Sequence, residues 1–313
     1  MPPPANPALQ QGLSVFERGW LSCNNVLLHG GGAGAVLVDS SHSLHGAQTA
    51  ALLRQALGGE PLLRLVNTHL HSDHCGGNAA VQRAFGCGIT IPPGDFEAAR
   101  AWDEATLSYR ATGQICERFV PDNRIQPGEL LRVGSRSWQA LAAPGHDPHS
   151  IVLFDAHHGV LISADALWEN GFGVVFPELD GEQAFADVGR VLDLIESLDV
   201  RWVIPGHGAP FGDVNGALAR ARQRLAGFVA DPDRHARHAV RVLVKYHLME
   251  VQHQDWNQVL LWFDAVPLCR SIWQRLGRPE GSLGAFGERT MNDLVGSGAL
   301  KLIAGQLVNE GRP

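Results

Sequence analysis

The chain has no long hydrophobic run. Nowhere do its 313 residues approach the roughly 18 uninterrupted apolar positions that a membrane helix needs. Positive charge is scarce too: 25 Lys and Arg against 32 Asp and Glu leave a net charge of −7. No basic field therefore invites a polyphosphate backbone, and nucleic acid is not an expected partner. The five cysteines (Cys23, Cys75, Cys87, Cys116, Cys269) are odd in number and include no C-x-x-C pair. They read as reduced thiols of a cytoplasmic protein rather than a disulfide frame. Met1-Pro2-Pro3-Pro4-Ala5-Asn6-Pro7 has no basic region followed by an apolar one, so no signal peptide is expected. No internal repeat is evident. What the chain does have is apolar content, 45% of 313 residues, enough for a large core and for more than one sandwich-sized unit.

One segment concentrates the chemistry. Asn67-Thr68-His69-Leu70-His71-Ser72-Asp73-His74-Cys75-Gly76-Gly77-Asn78 packs three histidines and an aspartate into six residues. It follows Leu62, Leu63, Leu65 and Val66, which read as a short buried strand. Residues two apart at a strand end point the same way, so His69 and His71 can aim at one point. Asp73 and His74 fall in the turn beyond, which Gly76 and Gly77 release into a helix near Asn78. Imidazole nitrogens and a carboxylate oxygen are the ligands of a catalytic zinc site.

His69-x-His71-x-Asp73-His74 resembles the signature of the metallo-β-lactamase superfamily. The resemblance implies an α/β fold, a four-layer αββα sandwich with its metals at one edge, and three further ligands at later strand ends. Candidates stand in the required order. Pro144-Gly145-His146 follows the segment Ser137–Ala142, Ser163-Ala164-Asp165 ends the run Gly159–Ile162, and Pro205-Gly206-His207-Gly208 ends Arg201–Ile204. By this resemblance His146 joins His69 and His71 on a first metal, and His207 joins Asp73 and His74 on a second. Asp165 bridges the two. Two Zn2+ per chain are implied, with iron or manganese able to occupy the same set. Zinc ions about 3.5–4 Å apart share a water whose pKa falls towards about 7. The bridging hydroxide attacks an acyl carbonyl, and Asp73 also orients it or takes its proton.

Other elements can be placed around these motifs. Val36–Asp39 resembles an early strand of the family, with Asp39 shaping the loop rather than binding metal. Helical spacing covers 47–57, 97–110, 182–198, 217–229 and 236–251, and Ile89–Ile91 reads as a strand. Asp231-Pro232-Asp233 marks a break between a catalytic domain, 1–229, and a mainly helical C-terminal region, 230–313. In that region Thr290–Val295, a glycine turn and residues 299–308 form a winged-helix-like pattern without a lysine-rich recognition face. It reads as a packing or dimerisation module that also shapes the active-site cleft, and a homodimer is the default expectation for a soluble enzyme.

The substrate is the open question. An aspartate at the bridging position and the lack of a leader favour thioester or ester hydrolysis of a small acyl substrate, similar to glyoxalase II. A nuclease and a β-lactam or lactone hydrolase are the alternatives. Family members that process nucleic acid usually carry an inserted domain, and the stretch between Asp165 and His207 is too short for one. No basic cluster for a glutathione or phosphate-bearing carrier can be placed. The aromatics and glycines after Asp165 suit a substrate wall, with Trp168, Asn170, Phe172 and Phe176 as its candidates. His149 is a candidate hydrogen-bond donor to the cleft and is assigned a catalytic role beside Asp73. Cys75 reads as buried filler, and His235, His238, His247 and His253 are too scattered for a third metal site.

Overall fold

Alternation along short strands builds the centre of the molecule. The computed structural model describes residues 11–310; the Met1–Pro7 stretch considered for a leader lies outside them. Strands β1 (Leu13–Phe16), β2 (Asn25–Leu28), β3 (Ala35–Val38), β4 (Leu62–Val66), β5 (Gly88–Ile91) and β6 (Asn123–Arg124) form one sheet in chain order. Strands β7 (Leu130–Val133), β8 (Arg136–Ala142), β9 (Ile151–Asp155), β10 (Val160–Ala164) and β11 (Trp202–Pro205) form a second, ordered 11-10-9-8-7. Successive side chains take opposite faces. Val26, Leu28, Val36 and Val38 therefore point inward against Trp138, Leu153 and Ile162 of the other sheet. Leu27, Leu37 and Leu65 point outward, against helices α1 (Gly46–Leu57) and, past the one-turn α2 (Ser72–Cys75), α3 (Asn78–Phe85).

The second sheet is covered the same way. Past α4 (Phe96–Ala101), α5 (Tyr109–Thr112) and α6 (Phe176–Leu179) come α7 (Phe185–Ser197) and α8 (Val214–Ala230). Val188 and Leu192 of α7 and Leu218 of α8 bury Val152, Phe154, Leu161 and Val203. Helix, sheet, sheet, helix is the expected αββα order. The buried pair Arg136–Asp155, 3.0 Å apart, staples the start of β8 to the end of β9.

Two local readings need correction. The run 97–110 is not one helix. Trp102 ends α4 in the left-handed region, at φ 58°. Asp103 then accepts bonds from the N–H of Ala105 and the hydroxyl of Thr106. A short acidic side chain that competes for nearby backbone donors breaks a helix that apolar spacing alone would continue. Strand β4 is also less buried than its composition implies. Leu63 is a bulge, unpaired between Ala35–Leu62 and Val36–Arg64, and faces solvent.

A single residue, Asp231, separates α8 from α9 (Pro232–Val251). Its carboxylate accepts the N–H of Arg234 and so caps the new helix. Beyond lie β12 (His253–Asp255), α10 (Trp256–Ala265), α11 (Pro267–Arg275), α12 (Leu283–Gly296), β13 (Lys301–Ile303) and β14 (Gln306–Val308). The last two pair as the strands of the winged-helix-like pattern, turning at Ala304 and Gly305, and β12 pairs with β14 to complete a small sheet. This part has its own core around Val240, Val244, Phe263, Ile272 and Met291, closed on one side by Val174 and Leu179 from before the break. Among the described residues no helix is long and apolar enough to cross a membrane.

A buried histidine ties α9 to the segment just before α6. His235 Nε2 accepts the N–H of Val175 at 3.1 Å. Burial, then Arg275 and Arg224, push its pKa down to about 4. The unfolded chain protonates this group near pH 6.5 while the folded one stays neutral, so the unfolded state binds more protons between the two values. Stability is therefore present above about pH 6.5 and is lost as the pH falls towards 4. Thermal melting at pH 7 and pH 5 should show a drop that is smaller, by a few degrees, in His235→Gln. An equal drop in both proteins would remove His235 from the explanation.

Candidate metal centre

Every donor named from the sequence sits at a strand end or in the turn after it, and the two sheets bring those ends together. His69, His71 and His146 place a ring nitrogen within 4.8 Å of one another, as do the donors of Asp73, His74, Asp165 and His207. All seven side chains are buried. His71 Nδ1 stands 3.1 Å from His69 Nε2 and 2.7 Å from His146 Nε2. On the other side His207 Nε2 is 3.0 Å from Asp73 Oδ2. Asp165 lies between the two groups. Its Oδ2 faces His146 Nε2 at 3.4 Å, and its Oδ1 faces His74 Nε2 at 3.4 Å and His207 Nε2 at 3.8 Å.

The rings are held from behind. His74 Nδ1 donates to Asp39 Oδ2 at 2.8 Å, and His146 Nδ1 donates to the Val174 carbonyl at 2.5 Å. The Thr68 hydroxyl donates to Asp39 Oδ2, so its oxygen is free to accept from His69 Nδ1 at 3.1 Å. These outward bonds leave the inward Nε2 of His69 and His146 without a proton and turn the Nε2 of His74 into the centre. His74 Nε2 is buried without any hydrogen-bond partner. Lone pairs of several imidazoles thus converge at distances where bare nitrogens repel, and two carboxylates face them. A donor set of this kind fits divalent cations of the zinc class.

The electrostatics agree with that fit. Burial, then neighbouring imidazoles, lowers His69 well below its ordinary value and His71 to about 3. Burial also lowers His146. These three are neutral at physiological pH, as ligands must be. Burial opposes charge on Asp73 and Asp165, but His74 and His207 outweigh it, holding Asp73 at about 2 and Asp165 well below the usual carboxylate range. His74 runs the other way: the carboxylates of Asp165, Asp73 and Asp39 outweigh burial and hold its pKa well above 6.5, and the proton they keep on its Nε2 stands where a cation would displace it.

The centre floors a cavity of about 620 Å³. Trp168, Asn170, Phe172 and Phe176 all line it. Trp168 Nε1 donates to Asp165 Oδ1 at 3.2 Å, and the Phe176 ring lies 5.0 Å from that of His71. Phe172 is almost wholly buried and presents little more than an edge. His149 is not where its assigned role requires. Its ring bonds Asp95 at 2.9 Å, outside the lining of this cavity, because the bend at Asp147 turns the backbone away and the nearby carboxylate takes the ring. Cys75 is filler as read, its thiol between the Leu70 carbonyl and the Tyr109 hydroxyl. Cys23, pushed up to about 11 by burial, stays a neutral thiol behind His74.

Several lining residues escaped the sequence reading. Trp20 stacks on His207 with ring centroids 5.3 Å apart. Gln114, Tyr246 and Met249 close the opposite side, and Arg224, Arg241 and Lys245 bring positive charge to the mouth. Arg241 had a signal: it continues the helical spacing of Arg234 and Arg237. Trp20 had none.

The comparisons with known proteins converge. An acyl-coenzyme A thioesterase of Gallus gallus is 29% identical over 167 residues, covering 50% of this chain and 59% of that protein. The chain thus spans about three-fifths of that relative's length. A hydroxyacylglutathione hydrolase of Anaeromyxobacter dehalogenans is 31% identical over 220 residues, 68% of this chain and 74% of the other. A metallo-beta-lactamase family protein of Thermus thermophilus superposes with a TM-score of 0.57 at 22% identity, over 96% of this chain and 100% of its own. At that identity it speaks for the fold, including the C-terminal part. The model of the metallo-beta-lactamase superfamily matches residues 18–207, from just before the first buried strand pair to the last histidine of the centre. With the ligand-type residues in order, the sandwich formed and more than half of the chain matched, this protein belongs to the metallo-β-lactamase superfamily.

Proposed function

We propose that the chain hydrolyses the thioester bond of a small acyl-carrier conjugate. The observation that carries this reading is the buried Asp165 carboxylate lying between two groups of ring nitrogens at the floor of a largely apolar cavity. His69, His71 and His146 would hold one divalent cation, and Asp73, His74 and His207 a second, with Asp165 facing both. Bound there, such ions supply a nucleophile from water at neutral pH and polarise a carbonyl oxygen. The protein does the rest. Asp73, ionised above about pH 2, orients the attacking water. Phe176 and Trp168 cover the ring nitrogens and restrict bulk water. Burial keeps the Tyr246 hydroxyl protonated at the cavity wall, where it shares a hydrogen bond with Ser72 at 2.7 Å. We assign residues 1–229 the reacting groups and 230–313 the far wall of the cavity.

Thioester is preferred because two of the relatives above carry names of that chemistry, one on coenzyme A and one on glutathione. The test combines elemental analysis with turnover of acyl-CoA, acyl-glutathione, an aryl ester, a lactone, nitrocefin and RNA. About two equivalents of zinc, iron or manganese are expected, with a thioester cleaved at least about a hundredfold faster than nitrocefin or RNA. Chelation should abolish turnover, and zinc should restore it. Full turnover after exhaustive chelation, or cleavage of RNA alone, would overturn the proposal.

A further inference from the structure

Where α8 turns into α9, a second cavity of about 920 Å³ opens beside the first. Arg224, His238 and Arg241 line both, so the two adjoin across these side chains. We propose that this groove binds the phosphate groups of the substrate's carrier half, making the substrate a thioester of a phosphate-bearing carrier. The proposal rests on the thioester reading above and selects among its carriers.

Charge is the first argument. In a chain with seven more acidic than basic residues, the groove gathers Arg220, Arg224, Arg234, Arg237 and Arg241 against only Asp231 and Asp233. Asp231 is already occupied as the helix cap. Arg220 has Asp213 at 3.3 Å. Among the described residues no carboxylate lies within ion-pair distance of the other four arginines. Arg222, on the same helix α8 but facing away, has two, Asp193 and Glu196. The fold thus neutralises the outward arginine and leaves those in the groove available.

Geometry is the second. The Arg224 guanidinium lies over the rings of Phe172 and Phe228, 5.6 and 5.4 Å from their centroids. Its Nη2 donates to His238 Nε2 at 2.8 Å, while its buried Nε has no partner. A guanidinium preorganised on aromatic faces, with no carboxylate partner, is suited to an oxyanion. Arg234, Arg237 and Arg241 follow one face of α9 over about 10 Å of helix rise. That span exceeds one phosphate and suits a diphosphate or more. A carrier held in this groove has the cavity above Asp165 next to it, across Arg224, His238 and Arg241, where the acyl end of the same molecule would reach.

The experiment uses the full zinc-loaded chain with two thioesters sharing the same acyl end, acyl-CoA and acyl-pantetheine, the second without phosphates. Wild type should prefer acyl-CoA in kcat/KM by on the order of tenfold or more, and added salt should erode the preference. In R234E/R237E, both exposed positions, the preference should collapse, whereas R222E should retain it. Free coenzyme A, followed by calorimetry, should bind wild type and fail to bind the double variant. Equal use of both thioesters by wild type, an unchanged ratio in R234E/R237E, or capture of RNA but not coenzyme A would overturn the groove assignment and leave thioester hydrolysis standing. Coenzyme A binding that requires Arg234 and Arg237, with no thioester cleaved, would keep the groove and remove the thioester reading.

Discussion

Asp165→Ala should lower kcat/KM for the thioester by at least about a thousandfold, some 4 kcal/mol of transition-state stabilisation. Zinc content should fall to about one equivalent or less. Among the described residues Asp165 is the one side chain whose two oxygens face the two donor groups separately, 3.4 Å from His146 and 3.4 Å from His74. It is buried and held ionised, so its removal deletes a charge that no solvent replaces. Asp165→Asn keeps the shape and loses the charge, and should still fall at least about a hundredfold. Metal analysis and kinetics on one preparation decide the matter, with melting temperature reporting whether the fold survived. An alanine variant at wild-type rate would sink the mechanism.

Gly206→Ala should be nearly as damaging, for a reason of space rather than chemistry. A Cβ at Gly206 would lie 2.2 Å from Asp165 Oδ1, 3.0 Å from His74 Cε1 and 3.1 Å from the carbonyl carbon of Ala164. The backbone has no room to retreat. Gly206 N–H donates to the Ala164 carbonyl at 2.7 Å, and the Gly206 carbonyl accepts from Asn24 N–H at 2.6 Å. Overpacking of this kind costs about 1–3 kcal/mol of stability. A displacement of about 1 Å in a reacting group costs on the order of a hundredfold in rate. Both losses are expected together, in melting temperature and in kcat/KM. A destabilised but fully active variant would show that Asp165 moves without consequence.

Much of this centre was legible because the family motif is local. His69, His71, Asp73 and His74 lie within one turn, and each later donor follows its own short strand beside a glycine. The sandwich was legible through alternation in strands such as Val26–Leu28 and Val36–Val38. Contacts made across the chain were not. Asp39 was read as loop-shaping, and it is: it sits at φ 57°. Yet its carboxylate also takes the Thr68 N–H, the Thr68 hydroxyl and His74 Nδ1, 35 residues away. Nothing in the spacing of Val36–Asp39 announces that pairing. His149 failed because the competing carboxylate, Asp95, is 54 residues distant. The basic groove was missed because its charge is arginine split between two helices that face each other only after the turn at Asp231.

The donors are divided between the sheets, four from the loop after β4 and three from the ends of β8, β10 and β11. Neither half owns a complete set for either cation, since His146 and His207 each close a group begun some 75 and 134 residues earlier. Closing such distant pairs is slow in a folding chain, because the loop entropy comes before the reward. Metal capture would therefore be among the last events of folding, a report that the two sheets have met. The rate at which the refolding chain takes up zinc should follow the docking of its halves rather than the formation of either.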